Sequence, residues 1–187
     1  MCPNLITTYA FQPRRWNARF DDLQTITGLF GSWSGSTFVS ASCEAGFLAN
    51  KDAGIPAGGA YMLAASDGSK TLYACNPTDV ERLSDAKNTW AVGAETLGLG
   101  LPLGKKGPFM EIKEGETYAF GPSNFSTLVD ASNPFATVSD GLLVGASELD
   151  SSFAGWYFEV DAEMGIDAFV EGNYNAFSRY NLVAHRI

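Results

Sequence analysis

Histidine is almost missing from this chain: His185 is the only one among 187 residues. Cysteine is scarce too, and Cys2, Cys43 and Cys75 lie too far apart in sequence to form a paired ligand motif. General acid–base catalysis, nucleophile activation and zinc ligation draw mainly on these two residue types. With so few of either, enzymatic and metal-centred readings lose their usual carriers. A binding or structural role leads.

Positive charge is the next shortage. Twelve Lys and Arg face twenty-one Asp and Glu, a net charge of -9, which argues against a nucleic-acid partner. From Glu114 to Ser178 there are eleven acids and no Lys or Arg, whereas residues 1–20 hold Arg14, Arg15 and Arg19 and no acid. Such asymmetry points to contact with surfaces of opposite sign, or to an acidic face that keeps the protein soluble. Long apolar runs are absent as well, so no membrane span and no secretory leader are expected. Three thiols cannot all pair internally, and a reducing cytoplasm with free thiols follows as the expected site of synthesis. Cys43 and Cys75 sit in apolar patterns and read as small buried hydrophobes.

The length suits one domain. Twenty Gly and eight Pro, spread along the chain, indicate short elements joined by turns. Residues 1–36 mix aromatics with Arg without a sustained period, and read as an extended N-terminal arm ending in a Gly/Ser hinge at Gly31–Ser36. Residues 37–187 read as a single β-domain. Strands are expected at Thr37–Cys43, Ala45–Ala49, Ala60–Ser66 and Lys70–Asn76, the last two as a hairpin about Asp67-Gly68. Asn76-Pro77 with the acids after it marks one short helix at about 77–85. Hairpins are expected about Glu114-Gly115 and Asp140-Gly141. Gly155–Ala162 and Ala176–Arg186 alternate as strands. The fold class expected is mainly β, an antiparallel β-sandwich or barrel.

Chemistry-bearing residues are few. His185 is the sole imidazole, and Ser147 and Ser178 lack a nucleophile-elbow motif. Glu148, Asp150, Glu159, Asp161, Glu163 and Asp167 crowd one stretch, but the spacing fits no EF-hand loop. Gly98–Gly107 does not match a phosphate loop, and reads as an extended loop presenting Lys105 and Lys106. No catalytic, metal or cofactor residue is assigned. Partner binding is assigned to Tyr9, Phe11, Arg14, Arg15, Trp16, Arg19 and Phe20 of the arm, with Lys105 and Lys106, because aromatics and Arg anchor interfaces.

Four segments, Tyr73–Asn76, Thr96–Phe109, Glu114–Phe125 and Glu171–His185, resemble the auxiliary head proteins of tailed bacteriophages, the decoration or cement proteins of capsids. That resemblance implies a structural virion protein without catalytic residues. It would bind the major capsid protein on the outer shell, often as a trimer, and stabilise the particle. Members use several β folds, so the fold rests on the strands above. A carbohydrate-binding β-sandwich of a head fibre or tail is the alternative, its sugar site about Trp156–Asp161 and Asn173–Asn175. A glycoside hydrolase using paired carboxylates is the third reading.

Overall fold

The computed structural model describes residues 11–15, 25–52, 59–76, 100–171 and 175–187, with the backbone alone at 12–15, 168–171 and 175–177. The helix expected at 77–85 lies outside the described residues. What is described is mainly β, as turn spacing and alternation predict.

One sheet has eight strands. In spatial order they are β1 (Phe11–Arg15), β10 (Thr117–Phe120), β16 (Asn175–Arg186), β14 (Trp156–Val160), β12 (Phe135–Ser139), β13 (Leu142–Ala146) and β11 (Phe125–Thr127). β15 (Ile166–Glu171) pairs with the leading half of β16. The second sheet runs β3 (Thr37–Ser40), β2 (Thr25–Ser34), β6 (Tyr61–Ala65), β5 (Leu48–Lys51), β7 (Leu72–Cys75) and β9 (Lys106–Glu111). β2 also pairs with β9, so β2, β6, β5, β7 and β9 close into a ring from which β3 projects. β4 (Cys43–Glu44) and β8 (Gly100–Leu101) form a short ladder beside it. Two pairings, β2 with β6 and β11 with β13, are parallel, a departure from the purely antiparallel expectation.

Side-chain alternation explains how the two sheets share a wall. In β7, Leu72 and Ala74 join one core while Tyr73 and Cys75 join the other. Leu48 and Ala49 of β5 divide in the same way, as do Met110 and Phe109 of β9. Strands buried on both faces read as continuous apolar runs, and these do. The larger core lies between the sheets and includes Tyr118, Phe120, Phe158, Leu182 and Ala184. The smaller fills the ring with Phe30, Leu63, Leu101 and Phe109.

Three expectations are corrected. β6 and β7 flank Asp67-Gly68 but do not pair, because β5 occupies the position between them. β9 and β10 flank Glu114-Gly115 yet belong to different sheets, so that turn carries the chain from one layer to the other. The hairpin about Asp140-Gly141 does form, as β12 and β13. The third correction concerns the arm. Thr25–Ser34, expected within it, is a ten-residue strand of the ring. Of the expected hinge Gly31–Ser36, Gly31 packs closely, since a Cβ there would lie 2.2 Å from the Val39 carbonyl oxygen, and Gly35-Ser36 is the exposed turn from β2 to β3.

Candidate partner-binding surface

The residues proposed from sequence for binding divide sharply in the structure. Phe11 is fully buried, stacked on Tyr118 at 5.7 Å between ring centroids and tilted against Phe120 at 5.4 Å. It is a core residue of its own domain and offers no surface to a partner there, which corrects its assignment. Arg14 and Arg15 lie on β1 at the edge of the eight-stranded sheet. Tyr9, Trp16, Arg19 and Phe20 lie outside the described residues. Lys105 and Lys106 are exposed, where β9 begins.

The residues weighed for chemistry are engaged structurally. Asp161 is buried and accepts hydrogen bonds from Thr117 Oγ1 and from the backbone N–H groups of Glu163 and Met164, each at 2.9 Å. Asp167 receives the Arg179 guanidinium through Nε at 2.9 Å and Nη2 at 2.5 Å. Among the described residues, no three His, Cys, Asp or Glu side chains converge as a metal site requires. His185 lies against Tyr157, rings 4.9 Å apart, with Nε2 3.7 Å from a Glu159 carboxylate oxygen. Ser178 stands seven residues back on the same strand, roughly 23 Å away at ~3.3 Å per residue, far beyond the reach of that imidazole. Cys43 and Cys75 are buried, and desolvation holds the Cys43 thiol well above its ordinary range, which keeps it from acting as a reactive thiolate. Trp156, placed at a sugar site from sequence, is buried on the inner face of β14, whereas Tyr157 and Glu159 turn outward.

A coherent surface emerges instead at the projecting end of the ring. β2 and β3 run on as a hairpin with Gly35-Ser36 as its two-residue loop. Trp33 and Phe38 face each other across the ladder, with ring centroids 5.4 Å apart and edge to face. Trp33 is 41% exposed and Val39 51%. The turn joining β8 to β9 closes with a Lys105 N–H bond to the Pro102 carbonyl at 3.0 Å, and carries Leu103, 69% exposed. It stands beside β3, since a Cβ on Gly104 would be 3.6 Å from Ser40 Oγ. β9 then leads Lys106 to its position opposite Leu29 of β2. Pairing of β2 with both β3 and β9 therefore gathers at this end of the ring Trp33 and Phe38 on one face of the hairpin, Val39 on the other, and the turn that carries Leu103 and the two lysines.

The electrostatics of this end differ from those of the chain as a whole. Residues 23–43 contain no charged side chain, and residues 100–110 contain only the two lysines. Glu44 follows the charge-free stretch, half-buried opposite Gly100, where burial raises its carboxyl above the usual range. Contiguous exposed apolar area next to uniform charge is the mark of an interaction site. The lysines were legible from sequence. Trp33, Val39 and Leu103 were not assigned, although the charge-free stretch 23–43 is a visible signal. Compared with protein-family models, with curated proteins and with solved structures, the chain matches none.

Proposed function

We propose that this chain is a non-catalytic structural protein of a viral particle, which docks on the outer surface of the capsid shell and stabilises it. The observation that carries this reading is the set of exposed apolar side chains Trp33, Val39 and Leu103 at the end of the ring where Lys105 and Lys106 also lie, within two stretches, 23–43 and 100–110, that hold no acid, on a chain of net charge -9. Aromatic and aliphatic side chains supply affinity when a partner desolvates them, and the lysines orient the encounter with carboxylates on that partner. The partner is the major capsid protein, and copies of the chain act together as an oligomer.

The test is binding to purified capsids of the virus encoding the chain, followed by cosedimentation and by the melting temperature of the shell. Saturable binding that raises that temperature is the expected result. Trp33→Ala should weaken binding roughly thirtyfold, the equivalent of about 2 kcal/mol. A folded protein that leaves the capsids bare at micromolar concentration would end this reading.

A second reading has an observation of its own. Tyr157, His185 and Glu159 lie together on the outward side of β14 and β16, an aromatic and carboxylate pairing of the kind used for sugars. Binding on a glycan array that is lost in Tyr157→Ala would favour it over shell attachment.

A further inference from the structure

We propose that β1 is an exchangeable strand, and that residues 11–15 of one copy fill the edge of β10 in a second copy of this chain. The inference is independent of the shell. It starts from how β1 is held. Its ladder partner is β10 alone, at the margin of the eight-stranded sheet. Its one described side chain, Phe11, is fully buried against Tyr118 and Phe120. The ladder is irregular between Pro13 and Arg15, and Pro13 has no N–H to donate to it.

The slot itself cannot stay empty. All four residues of β10 are buried, so without β1 that strand becomes a hydrophobic edge with unpaired backbone groups. Something must fill it, and what remains open is which copy provides the filling. β1 precedes a strand of the other sheet, and nine residues, 16–24, join Arg15 to Thr25. Such a tether reaches at most ~30 Å. Every contact in the slot is the same whether the strand arrives from its own chain or from a neighbour. The two states differ mainly by the effective concentration of the tethered strand, on the order of millimolar for short links. Copies packed side by side exceed that range, and exchange then links them without any new contact.

The experiment uses two singly substituted full-length chains in a Cys2→Ser background. Gln12 and Ala119 are register partners. Neither Gln12→Cys nor Ala119→Cys can bridge these two positions within its own chain. Mixed at about 1 mM under mild oxidation, they should give a covalent dimer whose digest contains the 12–119 disulfide. The double variant Gln12→Cys/Ala119→Cys reports the register. If it closes fully within one chain while the mixture yields no 12–119 bridge, the strand stays at home and the proposal fails; failure of both also overturns it. Should the position-119 variant not fold, sedimentation of the unsubstituted chain decides. Association that rises with concentration is expected, and Phe11→Ala, which removes the same contact from the closed and the exchanged states, should leave it within a few-fold. A monomer at every concentration up to ~1 mM would overturn it.

Discussion

Tyr118 shows how much one buried polar atom can decide. Its ring lies in the larger core, and its hydroxyl oxygen accepts the Lys113 N–H at 2.9 Å. Burial pushes the phenol up to about 12, helped by Glu116 and Glu111, and the hydrogen bond from Lys113 offsets part of the rise. In the unfolded chain the phenol loses its proton near pH 10. Below that pH both states are neutral and Tyr118 adds no pH dependence. Between pH 10 and about 12 only the unfolded state ionises, and stability falls by up to ~1.4 kcal/mol per pH unit. Urea titrations across that range should show this decline, and Tyr118→Phe should flatten it while costing about 1 kcal/mol at neutral pH. Asp161 presents the opposite case, a carboxylate filled by three donors. Asp161→Ala strands Thr117 Oγ1 and two N–H groups, and should lower unfolding free energy by about 2–4 kcal/mol in the same assay.

Among the elements, the hairpin of β12 and β13 is the one whose turn chemistry and pairing agree. Asp140 has a φ of 49° and Gly141 a φ of 76°, the conformation a tight hairpin needs at both central residues. Gly141 also docks the hairpin on the ring: its N–H donates to Ser66 and its carbonyl accepts from Leu48, both at 2.9 Å. A Cβ there would lie 2.1 Å from the Phe47 ring. Gly141→Ala therefore combines backbone strain with a clash, and a loss above about 2 kcal/mol is expected by thermal or urea melt. The other two Gly-centred turns explain where reading from sequence stops. Asp67-Gly68 and Glu114-Gly115 are turns, as their residues demand, but a turn does not name the strand that follows as partner. That choice was made by Leu48 and Ala49, which bury on opposite sides and wedge β5 between β6 and β7. Alternation served better for β14 and β16, whose Phe158, Leu182 and Ala184 all face the core as expected. It failed for β2 because Gly28 and Gly31 interrupt the pattern at the points of closest approach. The docking surface was half legible for the same reason: charge is visible in a sequence, whereas the neighbours that a ladder creates are not.

For the molecule as a whole, the shared wall of β5, β7 and β9 couples the two cores. Removing a side chain from either face should loosen both, since the backbone between them is common. Leu72→Ala, facing the larger core, and Phe109→Ala, facing the ring, should each cost about 3–5 kcal/mol. Both should shift a single cooperative transition, with near-ultraviolet and far-ultraviolet circular dichroism moving together. Two resolved transitions, each sensitive to one variant, would show the cores to be independent. At this scale the charge asymmetry has a consequence too. Reversing Lys105 and Lys106 to Glu should slow association with an acidic partner and flatten its salt dependence, with little change in dissociation rate.

The order of the strands in space also sets an order in time. The seam that closes the ring joins Thr25–Leu29 to Lys106–Met110, some eighty residues apart along the chain, so it cannot form until that whole stretch has left the ribosome. The larger sheet waits longer still. One of its inner strands, β16, follows all its described partners along the chain, flanked by β10 and β14 and giving its leading half to β15. Until residue 186 is free, β10, β14 and β15 lack their common neighbour, and the nascent protein carries open strand edges that must be kept from pairing elsewhere. Translation halted before Asn175 would remove an inner strand of that sheet, not its margin.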